Sequence, residues 1–100
     1  MPKRTESYQV ALLEALKDSE EAAAYLNAAL EEGEDAEALF LRALRNVAEA
    51  RGITKIAAAA ALNRESVYRA LSAKGNLRLS TLGALLHTLG LRLAVEVKAA

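Results

Sequence analysis

Apolar residues recur at spacings of three and four along the first half of the chain, which is the pattern of helices that each bury one face. The pattern predicts a first short helix over residues 10–17. Asp18 followed by Glu21 has the spacing of a capping box and predicts a second helix, which Gly33 ends. Asp35 is predicted to cap a third, longer helix. Its core stripe is Leu39, Phe40, Ala43, Leu44, Val47 and Ala48.

The predicted elements are shorter after Gly52, where the third helix is expected to end. Thr54 is a candidate N-cap for a short fourth helix, and Asn63 is a candidate N-cap for a fifth helix that follows with almost no loop. A polar break comes next. Ser80 is then predicted to cap a sixth helix, which Gly90 ends.

The hydrophobic period changes to two at the end of the chain, as in a strand with one apolar face. The alternating apolar residues are Leu91, Leu93, Val95 and Val97. A single strand has no ladder partner, so we expect it to pair with the same strand of a second copy or with an edge strand of another protein. A loosely ordered tail is the alternative. The pattern as a whole predicts an all-α bundle of five to six helices plus one C-terminal β-strand paired across a dimer.

Composition excludes several classes of protein. The chain has no cysteine, so it has neither a disulfide framework nor a thiolate metal site. No stretch approaches the roughly 18 to 20 apolar residues of a spanning helix, and the start lacks the apolar segment of a secretory signal. We therefore expect a cytoplasmic protein with no membrane partner.

The formal net charge of +0 hides a divided chain. Residues 1–50 carry five Lys and Arg against eleven Asp and Glu, whereas residues 51–100 carry eight against two. This division suggests that nucleic acid meets the basic half and a basic protein meets the acidic half. Ordinary solvation of helix surfaces is an equal explanation for the acidic half.

The segment that starts at Ile53 fits the helix-turn-helix pattern, in which the second of two short helices lies in the major groove of DNA. Ala57 is the small residue that lets the helices approach closely. The inward positions are Ile56, Ala60, Leu62, Val67, Ala70 and Leu71. One departure is Ala61, where the turn usually has glycine, since a positive φ there costs alanine about 1 kcal/mol. Either the turn avoids that conformation or the motif absorbs the strain.

The outer face of the second short helix predicts contacts with DNA bases. Arginine can donate two hydrogen bonds to guanine and glutamate can accept from cytosine, so Arg64, Glu65 and Arg69 are the expected base-reading residues. Thr54 and Lys55 start the preceding helix and are expected to hold a phosphate. Further phosphate or supporting contacts are predicted for Asn63, Ser66, Tyr68, Ser72, Lys74, Asn76 and Arg78. The alternative is a helical hairpin whose arginines are merely solvated.

Two rival functions find little support in the sequence. His87 is the only histidine, and no glycine-rich phosphate loop or second metal-binding histidine accompanies it. We therefore expect no catalytic residue, cofactor, metal site or small-molecule substrate. RNA binding by stacking is also disfavoured, because three of the four aromatic residues lie in predicted core stripes.

Residues 25–98 resemble the antidote proteins of bacterial addiction modules, the HigA-like antitoxins with a lambda-repressor-like helix-turn-helix. The resemblance rests on the runs "YLNAAL", "FLRALRNVAEARG", "ESVYRALS" and "LSTL" followed by "LGLRL". Leu77 stands where relatives often have proline. The resemblance implies an all-helical fold, a homodimer, binding to the palindromic double-stranded operator of the protein's own operon, and neutralisation of a small co-encoded toxin that often cleaves messenger RNA on the ribosome.

Such toxins are commonly basic, so we expect the acidic half to dock the toxin, with Glu31, Glu32, Glu34 and Asp35 as candidates. We expect one domain over residues 1–100: a helical part at 1–52, the DNA-binding region at 53–90 and the strand at 91–98. A protein-interaction module whose helix-turn-helix is only a scaffold, or a stand-alone transcriptional regulator without a toxin, remains the alternative.

Overall fold

The computed structural model of the chain describes residues 3–72 and 77–99 and contains six α-helices within these ranges. A 3-10 turn at Gly33–Asp35 leads into the third helix. The predicted all-helical architecture is confirmed, although the first helix begins well before the predicted residue 10. The helices are α1 (Lys3–Ala15), α2 (Ser19–Leu30), α3 (Ala36–Arg51), α4 (Ile53–Ala59), α5 (Arg64–Ala70) and α6 (Leu79–Thr88).

Helix α3 forms the centre of the hydrophobic core, because it contacts α1, α2 and α4. The predicted stripe is correct at four positions, whereas Leu39 and Phe40 are only half-buried and Leu41 lies in the core instead. One cluster of buried aliphatic residues extends from Leu16, after α1, to Leu89, after α6. Its members on α3 are Leu41, Ala43, Leu44, Val47 and Ala48.

Two of the predicted helix caps are confirmed by hydrogen bonds. The Asp18 side chain accepts a hydrogen bond from the backbone N–H of Glu21 at 3.3 Å and starts α2. The Asn63 side chain accepts from the backbone N–H of Ser66 at 2.7 Å and starts α5. In each case the cap residue has an extended backbone, as an N-cap requires.

The other predicted caps differ from the structure. Helix α4 begins at Ile53 directly after Gly52, so Thr54 lies inside the first turn. Helix α6 begins at Leu79, so Ser80 is likewise inside the helix rather than before it. Asp35 does precede α3, but it makes no side-chain cap bond because the 3-10 turn already gives it a turn-like backbone.

Helix α4 ends in a Schellman motif with Ala61 in the left-handed conformation, at φ +60°. The N–H of Leu62 donates to the carbonyl of Ala57 at 2.7 Å, and the N–H of Ala61 donates to the carbonyl of Ala58 at 3.1 Å. The turn therefore does not avoid the positive φ, and alanine bears its cost.

Helix α6 ends in the same motif, with a glycine in the corresponding place. Gly90 has φ +79°. The N–H of Leu91 donates to the carbonyl of Leu86 at 2.7 Å, and the N–H of Gly90 donates to the carbonyl of His87 at 3.0 Å. The two helix ends thus differ mainly in the residue that takes the left-handed conformation.

Arg51 joins three helix ends and is half-buried. Its Nη2 donates to Ser19 Oγ at 3.0 Å, at the start of α2, and its Nη1 donates to the Leu89 carbonyl at 3.4 Å, at the end of α6. A cation is favourable at the carboxyl end of a helix. Arg51 therefore stabilises the packing of α2, α3 and α6 and is not part of an exposed basic surface.

The predicted C-terminal strand is not present. Residues 91–99, the C-terminal segment, have no regular secondary structure. Leu91 packs partly against the core, but Leu93 is 47% exposed, Val95 is 99% exposed and Val97 is 98% exposed. A strand needs a hydrogen-bonded neighbour, and the part of this single chain that the structure describes contains no other strand.

Across residues 3–72 and 77–99, no helix combines the length and apolar character needed to traverse a lipid bilayer.

Candidate nucleic-acid interface

Helices α4 and α5 have seven residues each and are joined by residues 60–63. Helices this short are marginal on their own, so tertiary packing must hold them. Ile56 and Ala57 of α4 are buried, as are Val67 of α5 and Leu71 just after it, and α4 contacts α3, α5 and α6. Three of the six predicted inward positions, Ile56, Val67 and Leu71, are therefore buried and anchor both short helices. The other three, Ala60, Leu62 and Ala70, are half-buried.

The three predicted base-reading residues, Arg64, Glu65 and Arg69, are all exposed on α5. Among the residues described, none of the three side chains has a hydrogen-bond or ion-pair partner. Unpaired guanidinium and carboxylate groups on an otherwise anchored helix are available to an external ligand. Their role in reading bases stays a prediction.

Three supporting residues act on α5 itself. Asn63 is exposed and caps the helix, and Ser66, whose N–H it binds, is half-buried. At the other end, Ser72 Oγ donates to the Arg69 carbonyl at 3.0 Å. These bonds define both ends of the helix that carries the exposed arginines.

Tyr68 does not lie on the outer face where the helical pattern placed it. It is half-buried, and its hydroxyl donates to Glu49 Oε2 on α3 at 3.1 Å. The Arg45 guanidinium lies 5.2 Å from the centre of the Tyr68 ring, and Arg45 Nε lies 3.9 Å from the same Glu49 oxygen. This cluster, which we call the Tyr68 anchor, fixes α5 on α3.

The partners of Tyr68 were missed in the sequence because they belong to another helix. Arg45 and Glu49 are four residues apart on α3, a spacing at which opposite charges pair on a helix surface. That spacing alone does not say which aromatic residue packs beside the pair.

The structure describes only some of the remaining residues that were predicted to contact phosphate. Thr54, Lys55 and Arg78 are exposed, whereas Lys74 and Asn76 lie outside the described residues. The described exposed charges from α4 to the start of α6 are four cations and one acid. They are Lys55, Arg64, Arg69, Arg78 and Glu65.

The predicted toxin-binding residues Glu31, Glu32, Glu34 and Asp35 are all exposed and follow α2 along the chain; we call them the acidic turn. Glu31 and Glu32 lie at the carboxyl end of α2, where the helix dipole already carries negative partial charge, and the last turn of α2 holds no basic residue. No salt bridge to the acidic turn occurs among the described residues. The local electrostatics are therefore unfavourable until a cation approaches.

Comparison with known proteins identifies the chain's family. Residues 5–97 match the model of a family described as "Probable addiction module antidote protein". The chain is 36% identical to an uncharacterized protein of Haemophilus influenzae over 96 residues, which cover 96% of this chain and 95% of the relative. No solved structure matches it significantly. The expected antitoxin family is thus confirmed, while the HigA-like subtype stays a prediction. The chain belongs to the family of probable addiction module antidote proteins.

Proposed function

We propose that this protein is an antitoxin that binds the palindromic operator of its own operon as a homodimer and neutralises a small basic co-encoded toxin by direct contact. The observation that carries the DNA-binding part is the exposed set Arg64, Glu65 and Arg69 on α5, a helix whose other side is buried. The family supports the antidote role. This role requires binding and no catalysis.

In the proposed complex, α4 and α5 act as a helix-turn-helix with α5 as the recognition helix in the major groove. An arginine that donates to guanine O6 and N7 contributes about 1–3 kcal/mol of discrimination, and a glutamate that accepts from cytosine N4 adds to the same code. Such bonds require a fixed helix. The Asn63 cap and the Tyr68 anchor supply that rigidity, because each ties α5 to a defined backbone or side-chain partner.

Phosphate contacts complete the proposed interface. Lys55 and Arg78 are exposed on the elements that flank α5, and cations of this kind position a protein on the DNA backbone without reading sequence. We expect affinity to fall with rising salt, since each neutralised phosphate releases counterions.

The acidic turn is the proposed toxin contact. Cationic side chains of a basic toxin would offset both the repulsion among the four carboxylates and the unfavourable end of the α2 dipole. The acidic turn and α5 lie on different elements, so the proposal predicts that charge changes in one leave the other's binding intact.

A gel shift with the DNA upstream of the operon tests the DNA-binding part. The wild-type protein should retard this fragment more strongly than a scrambled fragment of equal length. Replacing both Arg64 and Arg69 with alanine should abolish that preference. Arg42→Ala is a matched control, because Arg42 is an exposed arginine on α3 rather than on α5.

The gel shift, together with co-purification of the neighbouring gene's product, separates the alternatives. If no fragment is retarded even at low ionic strength, the DNA-binding part is wrong and a protein-interaction module is the better description. If the operon fragment is retarded but the product of the neighbouring gene does not co-purify with the protein, the protein is a stand-alone regulator.

A further inference from the structure

The C-terminal segment borders an open groove together with α2, α3 and α6. Leu30 and Leu93 in this groove are 53% and 47% exposed, so two leucine side chains of the groove meet water. Its apolar lining includes Leu26, Leu30, Phe40, Leu86, Leu91 and Leu93. The lining also contains the polar side chains Asn27, Glu31, Arg92 and Glu96, and exposed leucines in such a mixed groove are typical of a contact site.

The same segment presents two valines that nothing in the described chain covers. Val95 is 99% exposed and Val97 is 98% exposed. The exposed valines and the exposed leucines of the groove both leave apolar surface in contact with water, which is unfavourable. Packing the valines into the groove would remove both surfaces from water. Burying both together requires the valines of one molecule to reach the groove of another.

We propose that a second copy of this chain covers the groove, and that the two C-terminal segments pair as antiparallel strands about a two-fold axis at Ala94. The inference rests on the homodimer of the proposed function and deepens it by naming the contact surface and its register. The pairing supplies the hydrogen-bonded neighbour that a single chain cannot provide.

The register follows from symmetry and side-chain chemistry. With the axis at Ala94, Leu93 of one copy faces Val95 of the other, and Leu91 faces Val97. The exposed valines are thereby brought beside the two leucines that line the groove. On the opposite face, Arg92 faces Glu96 twice, once on each side of the axis, and oppositely charged cross-strand pairs are stabilising.

Neighbouring registers lose this complementarity. An axis at Val95 sets Arg92 against Lys98, and an axis at Glu96 sets that carboxylate against its own copy, so both place like charges opposite each other. An axis half-way between two residues sets apolar side chains opposite polar ones, because a one-residue slip exchanges the faces of a strand. An axis at Val97 pairs Glu96 with Lys98, and charge reversal at position 98, described below, distinguishes it from the axis at Ala94.

Cysteine cross-linking tests the axis directly, because the chain has no native cysteine. Paired residues on neighbouring antiparallel strands have Cα atoms about 4.5 to 5.5 Å apart, within the range that a disulfide spans. Ala94→Cys should therefore form a covalent dimer under mild oxidation. Lys98→Cys is the matched control and should stay uncross-linked, because its two copies would be about 26 Å apart at 3.3 Å per residue.

Charge reversal tests the register in solution. Arg92→Glu alone and Glu96→Arg alone should each raise the dimer dissociation constant roughly tenfold, since each turns two attractive pairs into two repulsive ones. Combining the two substitutions restores opposite charges and should return the constant to near the wild-type value. Lys98→Glu should have little effect. Sedimentation equilibrium gives all of these constants.

The outcomes distinguish the strand pairing from the DNA-binding part of the proposed function. A wild-type monomer, no cross-link through position 94, or no rescue by the double substitution overturns the inference, even if wild-type protein retards operator DNA. Weakening by Lys98→Glu overturns the Ala94 axis in favour of one at Val97. A cross-linked dimer that retards no operon fragment supports the pairing and contradicts the DNA-binding part of the proposed function.

Discussion

At the scale of single residues, Ala61 and Gly90 make a natural pair, because they hold the same left-handed position in two Schellman motifs. Ala61→Gly should raise the free energy of unfolding by about 1 kcal/mol, since glycine takes this backbone conformation without a Cβ penalty. Denaturant titration measures the change, which corresponds to about 4–8 °C in the midpoint of thermal unfolding.

Gly90→Ala is the matched opposite and should lower the free energy of unfolding by a similar amount. A Cβ at position 90 would lie 3.5 Å from Ser19 Oγ, an ordinary contact, so the expected cost is in the backbone. If Ala61→Gly leaves stability unchanged while Gly90→Ala lowers it, position 61 does not carry the strain assigned to it.

Arg69 and Lys55 are expected to differ in the kind of binding they supply. Arg69→Ala should cost about 1–3 kcal/mol on operator DNA and relax the preference at one base pair, because it removes a base-edge contact. Fluorescence anisotropy with operator, base-substituted operator and random duplexes measures the loss of affinity and the loss of base preference. Equal losses on the two duplexes would remove Arg69 from the base-reading set.

Lys55→Ala serves as the comparison for a phosphate contact. It should weaken operator and random DNA alike, and it should reduce the slope of log affinity against log salt by about 1. A change in base preference on this substitution would place Lys55 in the groove rather than on the backbone.

Sequence reasoning at this scale succeeded where one helix determines the answer. The exposure of Arg64, Glu65 and Arg69 follows from the helical period once Val67 and Leu71 are assigned to the core. Tyr68 lies at the edge of the buried arc, and its position depends on Glu49 and Arg45 of α3. A helical wheel of α5 contains no information about that neighbour.

At the scale of secondary-structure elements, the sequence predicted five to six helices, and the described residues contain six. Asp18 and Asn63 could be recognised as caps because each stands three residues before a backbone N–H that has no partner within its own helix and that the cap side chain binds. Thr54 and Ser80 have the same side-chain chemistry, but their helices had already begun at Ile53 and Leu79. A cap residue marks a helix start only if the backbone before it is not helical.

Arg51 is the contact between elements that we expect to matter most for stability. Arg51→Ala should lower the free energy of unfolding by about 1–3 kcal/mol, because it leaves Ser19 Oγ and the Leu89 carbonyl without their charged donor. Thermal and denaturant unfolding measure the loss. Arg42→Ala on the exposed surface of α3 should change stability by less than about 0.5 kcal/mol. Similar losses from both substitutions would contradict the role assigned to Arg51.

At the scale of the whole molecule, the division of charge along the sequence is only partly a division of surfaces. Arg51 belongs to the basic half by sequence, yet it is half-buried and bonded to Ser19 and Leu89. Arg45 belongs to the acidic half, yet it packs over Tyr68 of α5. The sum of charges could be read from the sequence, but its distribution required the packing.

The acidic turn gives a prediction about the partner. Changing Glu31, Glu32 and Glu34 together to lysine should slow association with the co-encoded toxin at low salt and leave operator binding unchanged, because the substitutions reverse the attracting charge far along the chain from α5. Stopped-flow association and the gel shift measure the two effects. Unchanged association would move the toxin contact to another surface.

The same triple substitution has a control within the protein itself. Lysines at positions 31 and 32 lie at the favourable carboxyl end of α2, whereas a lysine at position 34 lies just before α3, at an unfavourable end. The free energy of unfolding of the triple variant should therefore change by less than about 1 kcal/mol. Slower toxin association from a variant of near wild-type stability cannot be attributed to unfolding.

The C-terminal segment has a sequence pattern that the structure of a single chain does not realise. The alternation of Leu91, Leu93, Val95 and Val97 is a strand pattern, yet the isolated chain forms no strand there. Strand formation requires a second set of backbone donors and acceptors, which a fold with one strand cannot supply from within. The alternating pattern therefore indicates a segment that can form a strand only when another chain supplies the hydrogen-bonding partner.

The Tyr68 anchor has a practical consequence for spectroscopy. The chain has no tryptophan and only three tyrosines, so its near-ultraviolet circular dichroism comes from few chromophores. Tyr8 is 68% exposed and Tyr25 bonds to Asn46, which leaves Tyr68 as the chromophore that joins α5 to α3. A difference spectrum against Tyr68→Phe isolates its band. Loosening of α5 from α3 can thus be followed optically, without attaching any label.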